Sequence, residues 1–180
     1  MDIVKVASKT AVVNPRLDEK LLSLACHGHT VRYSDSGFGI AEVRNRVVMR
    51  FLKDSSAAHL LMIDSDMVWL DETDEILTKL GLPVAYAQYV SKTGLLAHKG
   101  GLGAACLRIS RPAAGKISPP WFQFGYDKDG CADVSCECSF FAKKAVEAGI
   151  ETLPLGVIGH IIPFIAIPNG NASRLRPLEI

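Results

Sequence analysis

The chain has 180 residues and a mass of 19.5 kDa, a length that fits one domain with a substantial hydrophobic core. Hydrophobic residues make up 48% of the sequence, which excludes an intrinsically disordered protein. The formal net charge of +1 gives no overall attraction to nucleic acid or to an anionic membrane, so neither partner is expected.

The N-terminus and the cysteines bear on the compartment. No apolar run approaches the length of a transmembrane helix, and residues 1–7 lack the basic-then-apolar order of a signal peptide. A cytoplasmic protein is therefore expected, in which five cysteines are more simply free thiols than disulfides. Cys131, Cys136 and Cys138 lie close together in the sequence. Zinc binding is the alternative for them, but they lack paired C-x-x-C knuckles, which favours buried thiols.

Predicted strands and helices alternate through the first 90 residues. Val43, Val47 and Phe51 recur at helical spacing, and Gly81 follows an acid-led helix as a cap. The strands are predicted at 3–7, 29–34, 59–63 and 83–90, and the helices at 15–28, 40–54 and 71–80. This alternation predicts an α/β domain with a parallel sheet and right-handed crossovers.

Two carboxylates, Asp64 and Asp66, follow the apolar strand at 59–63. Strand alternation would point both toward the same side, and burying even one unpaired carboxylate costs several kcal/mol. Mg²⁺ or Mn²⁺ binds one or two carboxylates and completes its shell with phosphate oxygens and water. The pair therefore predicts a metal-diphosphate site. The spacing alone is not specific, because Asp127 and Asp129 share it in what is more simply a solvated turn.

The second half of the chain is less regular. A polar loop is predicted at 91–101, a strand at 102–109, a short basic segment at 111–118, an aromatic segment at 119–124 and a helix at 139–148. Residues 152–167 are largely apolar. No repeat, linker or low-complexity tract interrupts the chain, so residues 1–180 are predicted to form a single domain.

The order of several motifs resembles a GT-A-type glycosyltransferase, close to the family 2 group. The motifs occupy residues 39–46, 60–67, 103–111, 121–124, 137–149 and 159–161. The resemblance implies a mostly parallel sheet flanked by helices, with a nucleotide-binding half at 1–90 and an acceptor-side half at 91–180. It also implies Mn²⁺- or Mg²⁺-dependent transfer of a sugar from a nucleotide-diphosphate donor to a hydroxyl acceptor.

The same resemblance implies ligands for the metal. Asp66 would coordinate the ion of this D-x-D motif, and His160 falls where some relatives use a further histidine ligand. Asp64 would contact the ribose or belong to the ion's ligands and water shell. The competing interpretations are a strand-end acidic pair that faces solvent and a satisfied core histidine.

Nucleotide contacts are implied at the edges of the first strands. Arg44 and Asn45 match the helix-start pair that contacts the nucleotide, and the planar guanidinium suits bidentate bonds to a diphosphate. Ser8, Thr10 and Asp35 follow the first two strands, where ligands of open α/β sheets bind. Ordinary turn chemistry is the alternative for these three.

Glu137 is the candidate general base of the resemblance, because relatives that invert stereochemistry carry an acidic pair here. This chain has Glu137-Cys138, so the residue that usually acts as base is replaced by cysteine. Either Glu137 takes the role, or Asp133 does, or the activity is lost. Trp121 and Phe122 are candidates for stacking on a sugar, with core packing as the commoner explanation.

Two other functions stay open at this level. Cys138 and the short chain favour a nucleotide-sugar-binding protein that no longer catalyses. A nucleotidyltransferase also pairs an α/β sheet with acidic metal ligands, but no glycine-rich phosphate loop follows the first strand.

Overall fold

The apolar segments of the sequence form ten strands and five α-helices in the residues that the computed structural model describes, 1–6, 14–34, 38–90, 96–126 and 133–161. The strands are β1 (Asp2–Val6), β2 (Thr30–Tyr33), β3 (His59–Asp64), β4 (Met67–Val68), β5 (Val84–Gln88), β6 (Cys106–Ser110), β7 (Gly125–Tyr126), β8 (Asp133–Ser135), β9 (Thr152–Val157) and β10 (Gly159–His160). The helices are α1 (Pro15–Cys26), α2 (Ile40–Asp54), α3 (Glu75–Thr78), α4 (Arg111–Lys116) and α5 (Glu137–Glu147), with 3₁₀ turns at Asp71–Asp74 and Ala97–Gly100.

Six strands form the central sheet in the order β2-β1-β3-β6-β5-β9. β1 runs parallel to β2 and β3, and β5 runs parallel to β9. The predicted α/β fold with a mostly parallel sheet is therefore confirmed. One strand departs from the alternating pattern, because β6 is antiparallel to both β3 and β5. A parallel partner needs a long crossover, usually a helix, and the described residues between β5 and β6 contain only one 3₁₀ turn.

Helices cover both faces of this sheet, so β3 is buried on both sides as its composition predicts. Leu60 and Met62 pack with the cluster under α2, α4 and α5, whereas Leu61 and Ile63 pack with the cluster under α1. All four side chains are fully buried. Alternation along β3 therefore fills two cores at once.

α2 has the predicted bounds, and its buried face carries Val43, Val47 and Phe51. The helix predicted from Asp71 is shorter than expected. It begins as a 3₁₀ turn, and α3 ends at Thr78. The guanidinium of Arg108, on β6, donates to the carbonyl oxygens of Ile76 (2.6 Å) and Lys79 (2.7 Å), which satisfies backbone groups at this helix end.

The carboxyl ends of the parallel strands β1, β3 and β5 open on one edge of the sheet, where the crevice of an α/β fold lies. A two-stranded ribbon, β4 with β10, brings the chain near residue 160 back to this edge, with His160 opposite Met67. Among the described residues, no helix has both the length and the apolar character needed to cross a bilayer.

Candidate active site

The two acids after β3 have different partners. Asp64, the last residue of the strand, accepts two hydrogen bonds of 2.8 Å from Nη2 of Arg44. Asp66 lies in the turn that follows, and its Oδ2 is 3.4 Å from Nε2 of His160. The expectation that a metal must neutralise both acids therefore needs correction, because a guanidinium of the chain itself neutralises Asp64. Strand alternation does not extend to Asp66, since the strand has already ended.

Arg44 is the group that organises the buried side of the site. Only 2% of its surface is exposed. Its Nη1 donates to Oε1 of Glu137, and its Nη2 also donates to the carbonyl oxygen of Ala104 (3.2 Å). The guanidinium lies 5.9 Å from the ring centre of Phe122. The structure thus places Arg44 beneath the crevice, joining two carboxylates, and direct contact with a nucleotide would require it to leave these partners.

Two carboxylates share this one guanidinium, which affects how readily Asp64 ionises. Burial raises the pKa of Asp64 to about 6, and the charge and hydrogen bonds of Arg44 offset only part of that effect. The negative charges of Asp66 and Glu137 raise it further. The pKa of Arg44 is itself raised, because its two carboxylate neighbours outweigh the cost of its burial. Arg44 therefore stays charged while Asp64 titrates.

His160 is held so that one ring nitrogen faces Asp66. Its Nδ1 lies 3.1 Å from the carbonyl oxygen of Val90, which can only accept, so this nitrogen carries the proton. Nε2 faces the carboxylate of Asp66, as an ion-pair partner when the ring is protonated and with a lone pair when the ring is neutral. The backbone fixes the pair as well, since the N–H of Ile161 donates to the carbonyl oxygen of Asp66 (2.9 Å). With a neutral ring the two groups are facing acceptors, an arrangement that suits a cation or a shared proton.

Glu137 begins α5, and 7% of its surface is exposed. Its carboxylate forms an ion pair with the guanidinium of Arg44. Asp133 is the first residue of β8, but its side chain is outside the described part of the structure. Ser8, Thr10 and Asp35 are also outside the described residues.

Asn45, Trp121 and Phe122 form a structural unit. The side-chain oxygen of Asn45 accepts from the backbone N–H groups of Trp121 (2.8 Å) and Phe122 (3.0 Å), and its amide donates to the carbonyl of Phe122 (2.7 Å). Both side chains are buried, with 7% of Trp121 and 1% of Phe122 exposed. The Phe122 ring stacks on the Phe141 ring, with 4.9 Å between the ring centres. The structure places the rings in the core, so stacking on a sugar would require this segment to move. Asn45 holds that segment in place through these three hydrogen bonds.

Tyr89 and His98 are neighbours of the site that the sequence analysis missed. The Tyr89 ring packs edge-on against two histidine rings, with 5.8 Å between its centre and that of His160 and 6.5 Å between its centre and that of His98. Burial raises the pKa of the Tyr89 hydroxyl. Gly103 makes room for them, because a Cβ there would lie 2.6 Å from Tyr89 Cε1 and 3.2 Å from His98 Cδ2. Tyr89 directly follows β5 at the carboxyl edge of the sheet, and that position was the available signal.

The described cysteines are free thiols, and two of them meet His98 beside this site. Burial, followed by a hydrogen bond with Cys136, raises the pKa of the Cys138 thiol. Cys131 lies outside the described residues. The cysteine that replaces an acid at 138 therefore belongs to a second group of side chains adjacent to Glu137.

No family model matches the chain, and no curated protein matches its sequence. Solved structures do match in fold. The A197 protein from STIV gives a TM-score of 0.61 at 19% identity, over 90% of this chain and 86% of that one. A glycosyltransferase involved in the glycosylation of the major capsid of PBCV-1 gives a TM-score of 0.50 at 13% identity, over 91% of this chain and 94% of that one. The third structure is a mutant of Drosophila β1,4-galactosyltransferase 7 in complex with manganese, UDP-Gal and xylobiose. It gives a TM-score of 0.53 at 14% identity, over 99% of this chain and 82% of that one.

These matches confirm that the chain has a GT-A-like fold of the kind found in glycosyltransferases. Each covers about nine-tenths or more of this chain, so the likeness concerns the whole sheet and its helices. At these identities the likeness establishes the fold alone.

Proposed function

We propose that this protein transfers a sugar from a nucleoside-diphosphate donor to a hydroxyl acceptor with the help of Mn²⁺ or Mg²⁺. The observation that carries the proposal is the meeting of Asp66 and His160, 3.4 Å apart, at the carboxyl edge of β3. The manganese and UDP-Gal bound in the Drosophila enzyme of similar fold support it.

Asp66 and His160 fit a divalent ion by their chemistry. The carboxylate oxygen and the imidazole Nε2 face each other, and the bond from Nδ1 to Val90 orients the ring and leaves Nε2 as the nitrogen to ligate an ion. When bound, such an ion neutralises the charge that develops on a diphosphate leaving group.

Asp64, Arg44 and Glu137 then act as one preorganised unit. Arg44 holds Asp64 at the end of β3, and 18% of the Asp64 side chain remains exposed, enough to accept a hydrogen bond from a ribose hydroxyl. The same guanidinium holds Glu137 at the start of α5. As a carboxylate, Glu137 accepts hydrogen bonds and is the group we assign to deprotonate the acceptor hydroxyl. Arg44 thus serves as a positioning residue beneath the site.

Ligand binding is tested by thermal unfolding with UDP or GDP, with and without Mn²⁺. A ligand at about 100 times its Kd stabilises the folded state by about 2.7 kcal/mol. For a chain of this size that raises Tm by roughly 5–10 °C. We expect the shift to require Mn²⁺ and to disappear in Asp66→Ala and His160→Ala. Asp71→Ala, which removes an exposed aspartate from a 3₁₀ turn, is the matched control. No shift with either nucleotide at millimolar concentration would argue against donor binding.

A binding protein that does not catalyse is the second candidate. It is favoured by Cys138 in the position where the resemblance expects an acid, and by the burial of Glu137 against Arg44. Release of nucleoside diphosphate from UDP- or GDP-sugars distinguishes the two functions. Release by the wild type that is absent from Asp66→Ala supports the transferase, whereas a Mn²⁺-dependent Tm shift without any release supports the binding protein.

A further inference from the structure

His98, Cys136 and Cys138 place one nitrogen and two sulfur ligands within 4.8 Å of one another. Nδ1 of His98 is 3.7 Å from Sγ of Cys136 and 3.9 Å from Sγ of Cys138, and Nε2 of the same ring is 3.2 Å from Sγ of Cys138. The two sulfurs are 2.7 Å apart. Among the described residues this is the one group of three or more histidine, cysteine or acidic side chains whose ligand atoms meet in this way.

The distances suit a small tetrahedral ion with soft ligands. Zn–S bonds of about 2.3 Å and Zn–N bonds of about 2.0–2.1 Å place ligand atoms about 3.6–3.8 Å apart in a tetrahedron. The distances from Nδ1 of His98 to the two sulfurs, 3.7 and 3.9 Å, are near that value, so Nδ1 is the nitrogen we assign as ligand. The two sulfurs have to separate by about 1 Å when the ion binds, and Cys136 is the half-buried one of the two cysteines.

The backbone favours a thiolate at one of the two sulfur ligands, Cys136. Cys136 caps α5, and its sulfur accepts a hydrogen bond from the backbone N–H of Ser139 at 3.3 Å. Helix N-termini stabilise negative charge, and thiolates are the form that binds metal. His98 has φ of 52°, a left-handed conformation that is uncommon outside glycine and is often found where a side chain has a functional task.

We propose that His98, Cys136 and Cys138 bind a zinc ion, with water or a further ligand completing the tetrahedron. The ion joins the turn Ala97–Gly100 to the beginning of α5, where Cys136 and Cys138 flank Glu137. It is separate from the Asp66–His160 pair, and it stands whether or not the protein transfers sugar. Buried thiols were expected for these cysteines because the sequence lacks paired C-x-x-C knuckles. The histidine ligand lies far away in the sequence and close by in the fold.

The test is a titration of the reduced full-length protein with Co²⁺, followed by displacement with Zn²⁺. We expect a thiolate-to-cobalt charge-transfer band and the visible bands of tetrahedral Co²⁺, saturating at one ion per chain, with release of protons on binding. Competition with a chromogenic chelator then gives the zinc affinity. Removing a ligand by Cys138→Ser or His98→Ala should weaken it by more than about tenfold, since even losses around the ligands cost 10–100-fold.

The controls separate this site from others. Cys26→Ser removes an exposed thiol at the end of α1 and should leave affinity and spectrum unchanged. Asp66→Ala should also leave them unchanged, because the charge-transfer band reports only sulfur-bound cobalt. His98→Ala keeps both thiols and covers the case in which a cysteine variant fails to fold. The proposal is overturned if wild type shows no such band, if Cys136→Ser/Cys138→Ser binds zinc as tightly as wild type, or if the two thiols form a disulfide under reductant and take up no metal.

Discussion

Arg44 places a positive charge between two acids that come from distant parts of the chain. Its side chain is buried, and its bonds to Asp64 and Glu137 connect the end of β3 with the start of α5. Removing one partner of a buried ion pair leaves an uncompensated charge, which costs far more than removing an exposed pair. The position should therefore tolerate neither truncation nor a shorter cation.

Arg44→Ala should destabilise the protein by about 3–5 kcal/mol, because Asp64 and Glu137 then remain buried without a counter-charge. Urea unfolding followed by circular dichroism measures the change. Arg46→Ala is the matched control on the same helix, since Arg46 makes an exposed i,i+4 pair with Glu42 and should cost less than about 1 kcal/mol. An equal decrease in the free energy of unfolding in the two variants would show that the buried ion pairs stabilise the protein no more than the exposed one.

Asp64 should titrate near pH 6, as the carbon chemical shift of its carboxyl group would report. The sign follows from the raised pKa. A carboxyl that holds its proton more tightly when folded favours the folded state below its unfolded value of 3.8, and this contribution is lost as pH rises through about 6. The free energy of unfolding of wild type should therefore fall relative to that of Asp64→Asn between about pH 4 and 7. A difference that does not change over this range would contradict the raised pKa.

At the scale of elements, the glycine before β6 controls how the rings of the site pack. Gly103→Ala should cost about 1–3 kcal/mol, because the added methyl group overlaps the Tyr89 ring and presses on His98. Gly115→Ala in α4 is the control, since no atom lies within 4 Å of the position that its methyl group would take and alanine favours helix. Thermal unfolding compares the two. A neutral Gly103→Ala would mean that Tyr89 and His98 move aside freely.

The elements themselves were largely predictable, and their partners were not. The bounds of α2 follow from Val43, Val47 and Phe51 at helical spacing. The same pattern shows Arg44 only as a polar interruption, because a periodicity within one helix carries no information about Glu137. The resemblance assigned Asn45 to the nucleotide, and it too gives no information about partners elsewhere in this chain. Its role depends on backbone groups of Trp121 and Phe122 that only tertiary structure brings near.

For the whole molecule, the resemblance predicted the fold correctly, and two predicted metal ligands came to lie together. Asp66 and His160 are remote in sequence, so their approach depends on the β4–β10 ribbon, whose strands have two residues each. Such short strands carry almost no sequence signal. The antiparallel direction of β6 was missed because alternating strands and helices predict only parallel neighbours.

The division into halves at residue 90 does not coincide with a division of the sheet. β3 and β5, both in residues 1–90, are separated by β6. A fragment of residues 1–90 should therefore lack dispersed amide signals in NMR and cooperative unfolding, because β5 loses both of its sheet neighbours. The full chain is the reference. A fragment that folds cooperatively would show that the first half is an independent unit.

The placement of β6 also has a consequence for synthesis on the ribosome. Four apolar residues of β3 are fully buried in the folded protein, where β6 pairs with one edge of that strand. Until Ser110, the last residue of β6, has emerged from the ribosome, that edge of β3 has no partner. At a translation rate of about 5–20 residues per second, the interval between the synthesis of Asp64 and that of Ser110 lasts roughly 2–9 s. During that interval an unpaired apolar edge is open to other chains, so slowed translation between these points should favour aggregation and capture by chaperones.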